Sequence, residues 1–299
     1  MAPQSVLVTG FSGPIGAALL PSLRGRGYEI TRMVRRSPHS AGEIEWDPAK
    51  EVSPESVSGF DAVIHLAGES IARRWTAEKK RKIRDSRVQG TSHLSQALIR
   101  APKPPRVFIC SSAIGYYGSR GDTLLRENST PGSGFLPEVC QEWEAAAHVV
   151  AAAGVRTVLL RTGIVLSAAG GALPAMLPPF RFGLGGRIGS GRQWWSWIDV
   201  QDMAGAIQHI LKTDLLQGPV NMVAPRPVTN AEFTAVLASV LSRPALFPLP
   251  AFAAKLLLGE MAEELLLASQ RVEPARLVAS GYPFQYIELR KSLESQLRK

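Results

Sequence analysis

The stretch Val6-Leu7-Val8-Thr9-Gly10-Phe11-Ser12-Gly13-Pro14-Ile15-Gly16 decides the fold. A short apolar, β-branched run enters three glycines spaced three apart, and a helical pattern follows over 17–23. A buried strand that turns at once into a helix presents free N–H groups, and the positive end of the helix dipole, to whatever lies above the turn. Each glycine has its own task there. Gly10 lets the chain leave the strand, Gly13 removes a Cβ that would hold a diphosphate off the backbone, and Gly16 lets the helix pack closely on the sheet. Gly10, Phe11, Ser12, Gly13, Pro14, Ile15 and Gly16 are thus the expected cradle of a dinucleotide. In a chain with 27 glycines the triplet alone says little; the strand before it and the helix after it give it meaning.

Outward from this turn, strand-like runs at 6–9, 28–34, 62–66, 106–111 and 156–166 alternate with helical ones at 15–24, 77–100 and 138–153. Such alternation predicts an α/β, Rossmann-type doubly wound parallel sheet, with its ligand at the carboxyl ends of the strands. Residues 1–166 form the expected nucleotide-binding domain, with a later strand near 220–223 joining the sheet. A smaller, mostly helical substrate-binding region is expected over 167–299. It opens with a Gly/Pro-rich loop at 168–191, whose packing is argued by Trp194, Trp195 and Trp197. A helix at 230–241, capped by Thr229 or Asn230, follows.

With 45% hydrophobic and 20% charged residues the composition is that of a soluble globule, expected in the cytoplasm. The most apolar stretch, 251–268, is interrupted by Lys255, Glu260, Glu263 and Glu264, which makes it an amphipathic or core helix; no membrane partner is expected. Two distant cysteines cannot build a disulfide framework, and five scattered histidines show no ligand spacing, so no metal is predicted. Much of the +9 formal charge lies between Arg73 and Arg87. That run fits a phosphate backbone or a solvated helix face; without interleaved aromatics beyond Trp75, no nucleic-acid partner is expected.

The end of the second strand selects the dinucleotide. A carboxylate there binds the ribose 2′-hydroxyl of NAD, whereas arginine suits the 2′-phosphate of NADP. Here Val34 is followed by Arg35, Arg36 and Ser37, which favours NADP(H), the alternative being that both arginines are solvated loop charges.

Several motifs in order resemble the epimerase-like family of the extended or atypical short-chain dehydrogenase/reductase superfamily, relatives of NAD-dependent epimerases and dehydratases. They are Thr9-Gly10-x-x-Gly13-x-x-Gly16, His65-Leu66-Ala67-Gly68-Glu69, Asp85-Ser86-Arg87-Val88-Gln89-Gly90-Thr91, Ser111-Ser112 before Tyr116-Tyr117-Gly118, Arg161-Thr162-Gly163, and Trp197-Ile198-Asp199-Val200-Gln201-Asp202. The resemblance implies that Ala67, Gly68 and Glu69 border the cofactor. It puts Arg87 where family members carry an active-site asparagine, makes Lys82 a further cofactor candidate, and gives Arg161 the cofactor or an anionic substrate to hold. Asp199 and Asp202 are implied to be structural.

The same family relies on Tyr-x-x-x-Lys for proton exchange, and this chain lacks it. The best alignment puts Cys140 and Glu144 in those positions, one turn apart on one helix face. Counting back from Tyr117 puts Ala113 at the serine position, whereas counting from Tyr116 makes Ser112 the candidate serine; Tyr116 and Tyr117 either supply a phenol from the opposite wall or pack. Ser112, Cys140 and Glu144 are therefore the catalytic candidates, the alternative being that Cys140 packs inside and Glu144 pairs with an arginine. The expected function is an NADP(H)-binding oxidoreductase or epimerase-like enzyme for a small-molecule polar substrate such as a nucleotide sugar, with a homo-oligomer left open. A non-catalytic NADP(H)-binding sensor or scaffold is the alternative.

Overall fold

The computed structural model describes residues 5–297; positions 1–4 and 298–299 of the two expected regions lie outside the described residues. Its strands β1 (Ser5–Thr9), β2 (Glu29–Val34), β3 (Glu43–Glu45), β4 (Ala62–His65), β5 (Val107–Ala113), β6 (Arg156–Thr162) and β7 (Gly218–Met222) form one sheet of order 3-2-1-4-5-6-7. Every pairing is parallel. Strand order reverses between β1 and β4, which opens a crevice above their carboxyl ends.

Helices α1 (Pro14–Arg24), α2 (Ala77–Arg100), α3 (Phe135–Ala152) and α5 (Val200–Lys212) frame this sheet, while α4 (Ala172–Arg181), α6 (Asn230–Leu241) and α7 (Ala251–Leu258) belong to the C-terminal lobe. Side chains alternate across a strand, so β1 feeds two cores. Val6 and Val8 join Leu19 and Leu23 of α1 and Met203 and Ile207 of α5 on one face. Leu7 joins Leu94 and Leu98 of α2 and Trp143 and Ala147 of α3 on the other. Each such fully buried aliphatic side chain contributes roughly 1.5–3 kcal/mol relative to exposure, and losing the alternation would break both layers.

Four local features depart from the sequence expectation. The strand expected over 156–166 breaks at Gly163, where an added Cβ would lie 2.6 Å from the Ser196 carbonyl oxygen. Ile164–Leu166 instead pairs with Trp197–Asp199 in a separate ribbon. The loop at 168–191 contains α4, which buries Leu173, Leu177 and Phe180. Its Pro174 sits in the first turn, where a missing N–H costs no helical bond, and Pro178 and Pro179 lie near its end. Strand β3 was not expected, since Glu-Ile-Glu reads as polar. Finally, α3 starts three residues early because the Glu264 carboxylate accepts the N–H groups of Phe135 and Leu136 at 2.8 and 2.7 Å.

The C-terminal lobe has its own core of Trp197, Phe233, Leu237, Leu289 and Leu293. Thr229, not Asn230, caps α6 through a reciprocal box with Glu232. Asp199 caps α5 through the Gln201 N–H and accepts the Ser292 hydroxyl at 2.6 Å. Asp202 accepts the N–H groups of Gln285 and Tyr286, both at 2.8 Å. These two acids thus fasten the chain's end to the helix that lines the sheet. Among the described residues no helix is long and apolar enough to cross a membrane.

Candidate cofactor and active site

The glycine turn shows why three glycines are needed, though one does a different job from the one expected. Gly10 has φ +66°, and a Cβ there would lie 2.4 Å from the Leu66 carbonyl carbon, so it serves both the turn and the approach of β4. A Cβ at Gly16 would lie 2.3 Å from the Phe11 carbonyl oxygen, so this glycine packs on the turn itself rather than on the sheet. Gly13, the residue before α1, has ordinary extended backbone, and the nearest atom to its missing Cβ is the Gly10 oxygen at 3.5 Å. Its free side opens outward. The first turn of α1 has no side-chain cap and no acidic residue. Phe11, Ser12, Pro14 and Ile15 complete this rim, with Phe11 under the Arg32 guanidinium at 5.1 Å.

Behind the turn a buried polar chain joins β1, β4, α2 and α3. Thr9 Oγ1 meets His65 Nδ1 at 2.7 Å, His65 Nε2 meets Thr91 Oγ1 at 3.0 Å, and Trp143 Nε1 donates to Thr91 Oγ1 at 2.8 Å. Burial pushes the His65 imidazole down to about 4, so it is neutral at physiological pH. This fixes the strand end that carries Ala67, whose N–H donates to Thr9 Oγ1 at 3.3 Å.

At the tip of β2, Val34 is buried and Arg35 is exposed. Arg36 is held by Glu43 through two bonds of 2.9 and 3.0 Å, and Arg32 reaches the same carboxylate at 2.7 Å. The Glu43 side chain is only 1% exposed. The His39 backbone N–H and then the Arg36 guanidinium hold its carboxyl below the usual carboxylate range. Sequence reading missed Glu43, since it arrives from the unforeseen strand β3. Glu69 bonds Lys79, whose ammonium holds its pKa down with help from the fields of Arg35 and Lys82. Lys82 itself lies on the outer face of α2, paired with Glu78 at 2.6 Å. Gly68 faces Arg87, whose guanidinium carbon would be 3.4 Å from an added Cβ. Arg87 donates to the Ile83 carbonyl at 3.1 Å and lies 5.2 Å from the centre of the Trp143 ring.

Ser112 of β5, Glu144 of α3 and Arg161 of β6 come together as a buried cluster. Arg161 donates to both oxygens of Glu144 at 2.8 Å, and Ser112 Oγ donates to Glu144 Oε1 at 2.7 Å. The remaining Arg161 nitrogen reaches Tyr117 Oη at 3.0 Å and the Glu127 carbonyl at 3.1 Å, while Tyr117 donates to Asn221 Oδ1 at 2.7 Å. Burial works against the Arg161 cation, but the Glu144 carboxylate outweighs it and leaves the pKa raised. Tyr116, half-buried, lays its ring 3.5 Å from the guanidinium carbon.

Cys140 is buried one turn before Glu144; burial first and the Glu144 charge second push its thiol up to about 12. The residue pair aligned with Tyr-x-x-x-Lys is thus a protonated thiol and an ion-paired carboxylate, and the cation sits on β6. Asn221 and Glu127 are further members of this network that the sequence reading did not assign a role. An asparagine between Val220 and Met222 in a core strand was the available signal.

The NAD dependent epimerase/dehydratase family profile matches residues 6–222, and a domain of unknown function (DUF1731) matches residues 249–296. An epimerase family protein of Mycobacterium tuberculosis is 42% identical over 295 residues, covering 98% of this chain and 97% of the relative. The crystal structure of human epimerase family protein SDR39U1 (isoform 2) with NADPH is 37% identical, with TM-score 0.89 over 98% of both chains. A nucleoside-diphosphate sugar epimerase from Corynebacterium glutamicum is 34% identical with TM-score 0.83, over 99% of this chain and 58% of that one.

Proposed function

We propose that this chain, which belongs to the NAD dependent epimerase/dehydratase family, binds NADP(H) and exchanges hydride with a small polar substrate, nucleotide sugars being the first class to try. The observation that carries the cofactor preference is the tip of β2. Arg35 is exposed, Arg36 is fixed beside it, and the nearby acid, Glu43, is turned inward onto arginines instead of outward toward a ribose hydroxyl. That the human SDR39U1 structure contains NADPH supports the same preference.

When bound, the nicotinamide supplies the hydride or accepts it. The turn from Gly10 to Gly16 would hold the diphosphate at the uncapped start of α1, and Ala67 and Gly68 would leave bare backbone beside it. Arg87, next to Gly68, adds positive charge to that wall. In this reading Ser112, Glu144 and Arg161 orient and balance charge rather than exchange a proton, since each is spent on the others. A thiol with pKa about 12 stays protonated. The proton is assigned instead to Tyr116, the more exposed phenol of the pair, which rests on the Arg161 guanidinium.

A second reading, a non-catalytic NADP(H)-binding sensor or scaffold, is favoured by one observation: the pair aligned with the family's proton-transfer residues is chemically quiet. Calorimetry with NADPH and NADH, on wild type and Arg35→Ala, tests the cofactor. NADPH is expected to bind more tightly, and loss of Arg35 to cost it about 1.5–3 kcal/mol, the worth of a charge-assisted bond. Absence of heat with either coenzyme refutes the reading. Reduced-nicotinamide absorbance against carbonyl and nucleotide-sugar panels, with Tyr116→Phe, separates the two roles: turnover lost in that variant supports the enzyme, and binding without turnover supports the sensor.

A further inference from the structure

The charge and apolar surface left over from the cleft meet on the C-terminal lobe. Residues 183–189 run beside 244–251, joined by Leu184 pairing with Ala245, by the Phe247 N–H on Gly185 O at 3.2 Å, and by the Leu249 N–H on Arg187 O at 2.9 Å. Helix α7 follows directly. This lobe exposes Phe182 (80%), Leu184 (59%), Leu246 (75%), Phe247 (59%), Phe252 (74%) and Leu256 (75%). Ala254 is the only residue of α7 that is buried. Solvated apolar side chains at that density mark a contact surface rather than a free one.

The charges around it decide what it contacts. Segments 181–198 and 242–259 contain Arg181, Arg187, Arg192, Arg243 and Lys255, and no aspartate or glutamate. Arg74, from the basic run that begins at Arg73, comes within 4.0 Å of where a Cβ of Gly259 would stand at the end of α7. Lys255 is paired with Glu263, whereas Arg74, Arg181, Arg187 and Arg243 make no ion pair among the described residues. A second copy of the chain is a poor occupant, because a two-fold contact would set these arginines against themselves. Nucleic acid would meet the arginines but leave Leu184, Leu246 and Leu256 in water. An anionic bilayer satisfies both, since its headgroups take the guanidinium groups and its acyl boundary takes the leucines and phenylalanines.

We propose that the C-terminal lobe docks on an anionic lipid surface, inserting Phe182, Leu184, Leu246, Phe247, Phe252 and Leu256 while the exposed, unpaired Arg181, Arg187 and Arg243 of the same segments meet the headgroups. The absence of a membrane partner was expected from the lack of a spanning segment; a protein that lies on the interface needs none. The inference is independent of the cofactor reading, and its test uses no coenzyme.

The experiment is co-sedimentation of the full chain with vesicles of phosphatidylcholine, with and without phosphatidylglycerol. Binding is expected on the anionic vesicles, to be at least about tenfold weaker on phosphatidylcholine alone, and to weaken with salt. Phe252→Ser with Leu256→Ser should reduce it by about tenfold or more. Arg181→Glu with Arg243→Glu should abolish the preference for phosphatidylglycerol. These are exposed positions, so an unchanged urea midpoint confirms that the variants fold. No binding, equal binding to both vesicle types, or wild-type binding by the serine variant overturns the proposal. So does a dimer, seen by light scattering, that the serine variant dissociates while vesicle binding persists, or a single-stranded oligonucleotide that wild type and the serine variant bind equally and more tightly than wild type binds the anionic vesicles.

Discussion

Replacing Glu144 by alanine should destabilise the protein by about 3–5 kcal/mol, the cost of stranding a buried charge whose partner has been removed. The structure puts the site at that upper class. The Arg161 side chain is 4% exposed and that of Glu144 10%, the pairing is bidentate, and Ser112 also loses its acceptor. For a cooperative unit of 299 residues, an unfolding entropy of roughly 2.1 cal/mol/K per residue converts this into a Tm lower by about 5–8 °C. Urea unfolding followed by tryptophan fluorescence measures it, Trp143 lying on the same helix. The companion Glu144→Met with Arg161→Met should recover to within about 1–2 kcal/mol of wild type, because the desolvation of both charges disappears with them. A loss below about 1 kcal/mol for Glu144→Ala, or a double variant whose loss equals the sum of the single Glu144→Met and Arg161→Met losses, would refute the reasoning: the pair would then be solvated and uncoupled.

Gly13→Ala should fold with an unchanged melting curve yet bind NADPH at least about tenfold more weakly, as its Cβ meets no protein atom closer than 3.5 Å but projects into the proposed diphosphate site; equal affinity by calorimetry would remove Gly13 from that site. Gly16→Ala should instead fail to fold or melt far lower, its Cβ being 2.3 Å from the Phe11 oxygen; a wild-type melting temperature would sink this. His65 has a folded pKa of about 4, below its unfolded value, so the unfolded chain binds more protons between about pH 6.5 and 4. Its contribution to stability is present above pH 6.5 and is lost as pH falls, at up to about 1.4 kcal/mol per pH unit; the slope of urea stability against pH should flatten in His65→Asn. Neither cysteine should react with a thiol reagent at neutral pH until the protein is denatured, both being buried and Cys140 pushed up to about 12; fast labelling in the native state would contradict it.

The glycine turn and the alternation of β1 were legible because both are local: a turn must be made where the chain makes it, and Val6, Leu7 and Val8 take their faces from the period of a strand. Strand β3 was illegible for the opposite reason. Glu43 is driven inside by Arg32, Arg36 and the His39 N–H, partners that a propensity cannot see. The same holds for α4, where three prolines and flanking glycines hide the buried Leu173, Leu177 and Phe180, and for α3, whose start is set by Glu264 from a segment about 130 residues away.

The candidate site carries the sharpest case. Read along α3, Cys140 and Glu144 look like the loss of a tyrosine and the reversal of a lysine's charge. Read across the sheet, the reversal is met by Arg161, which β6 brings from 17 positions further on and which takes both carboxylate oxygens. A carboxylate facing a guanidinium in that geometry places a cation deep in the site, as a lysine on the helix would, but anchored on the neighbouring strand and bound in place. A lysine left at the helix position would stand against Arg161 with no counter-ion, so each residue makes sense only with the other. That coupling predicts that Glu144→Lys alone should be more destabilising than Glu144→Ala, and that Arg161→Ala should relieve it; urea midpoints in which Glu144→Lys is the milder variant would show that the cation of this site is not where the hydrogen bonds put it.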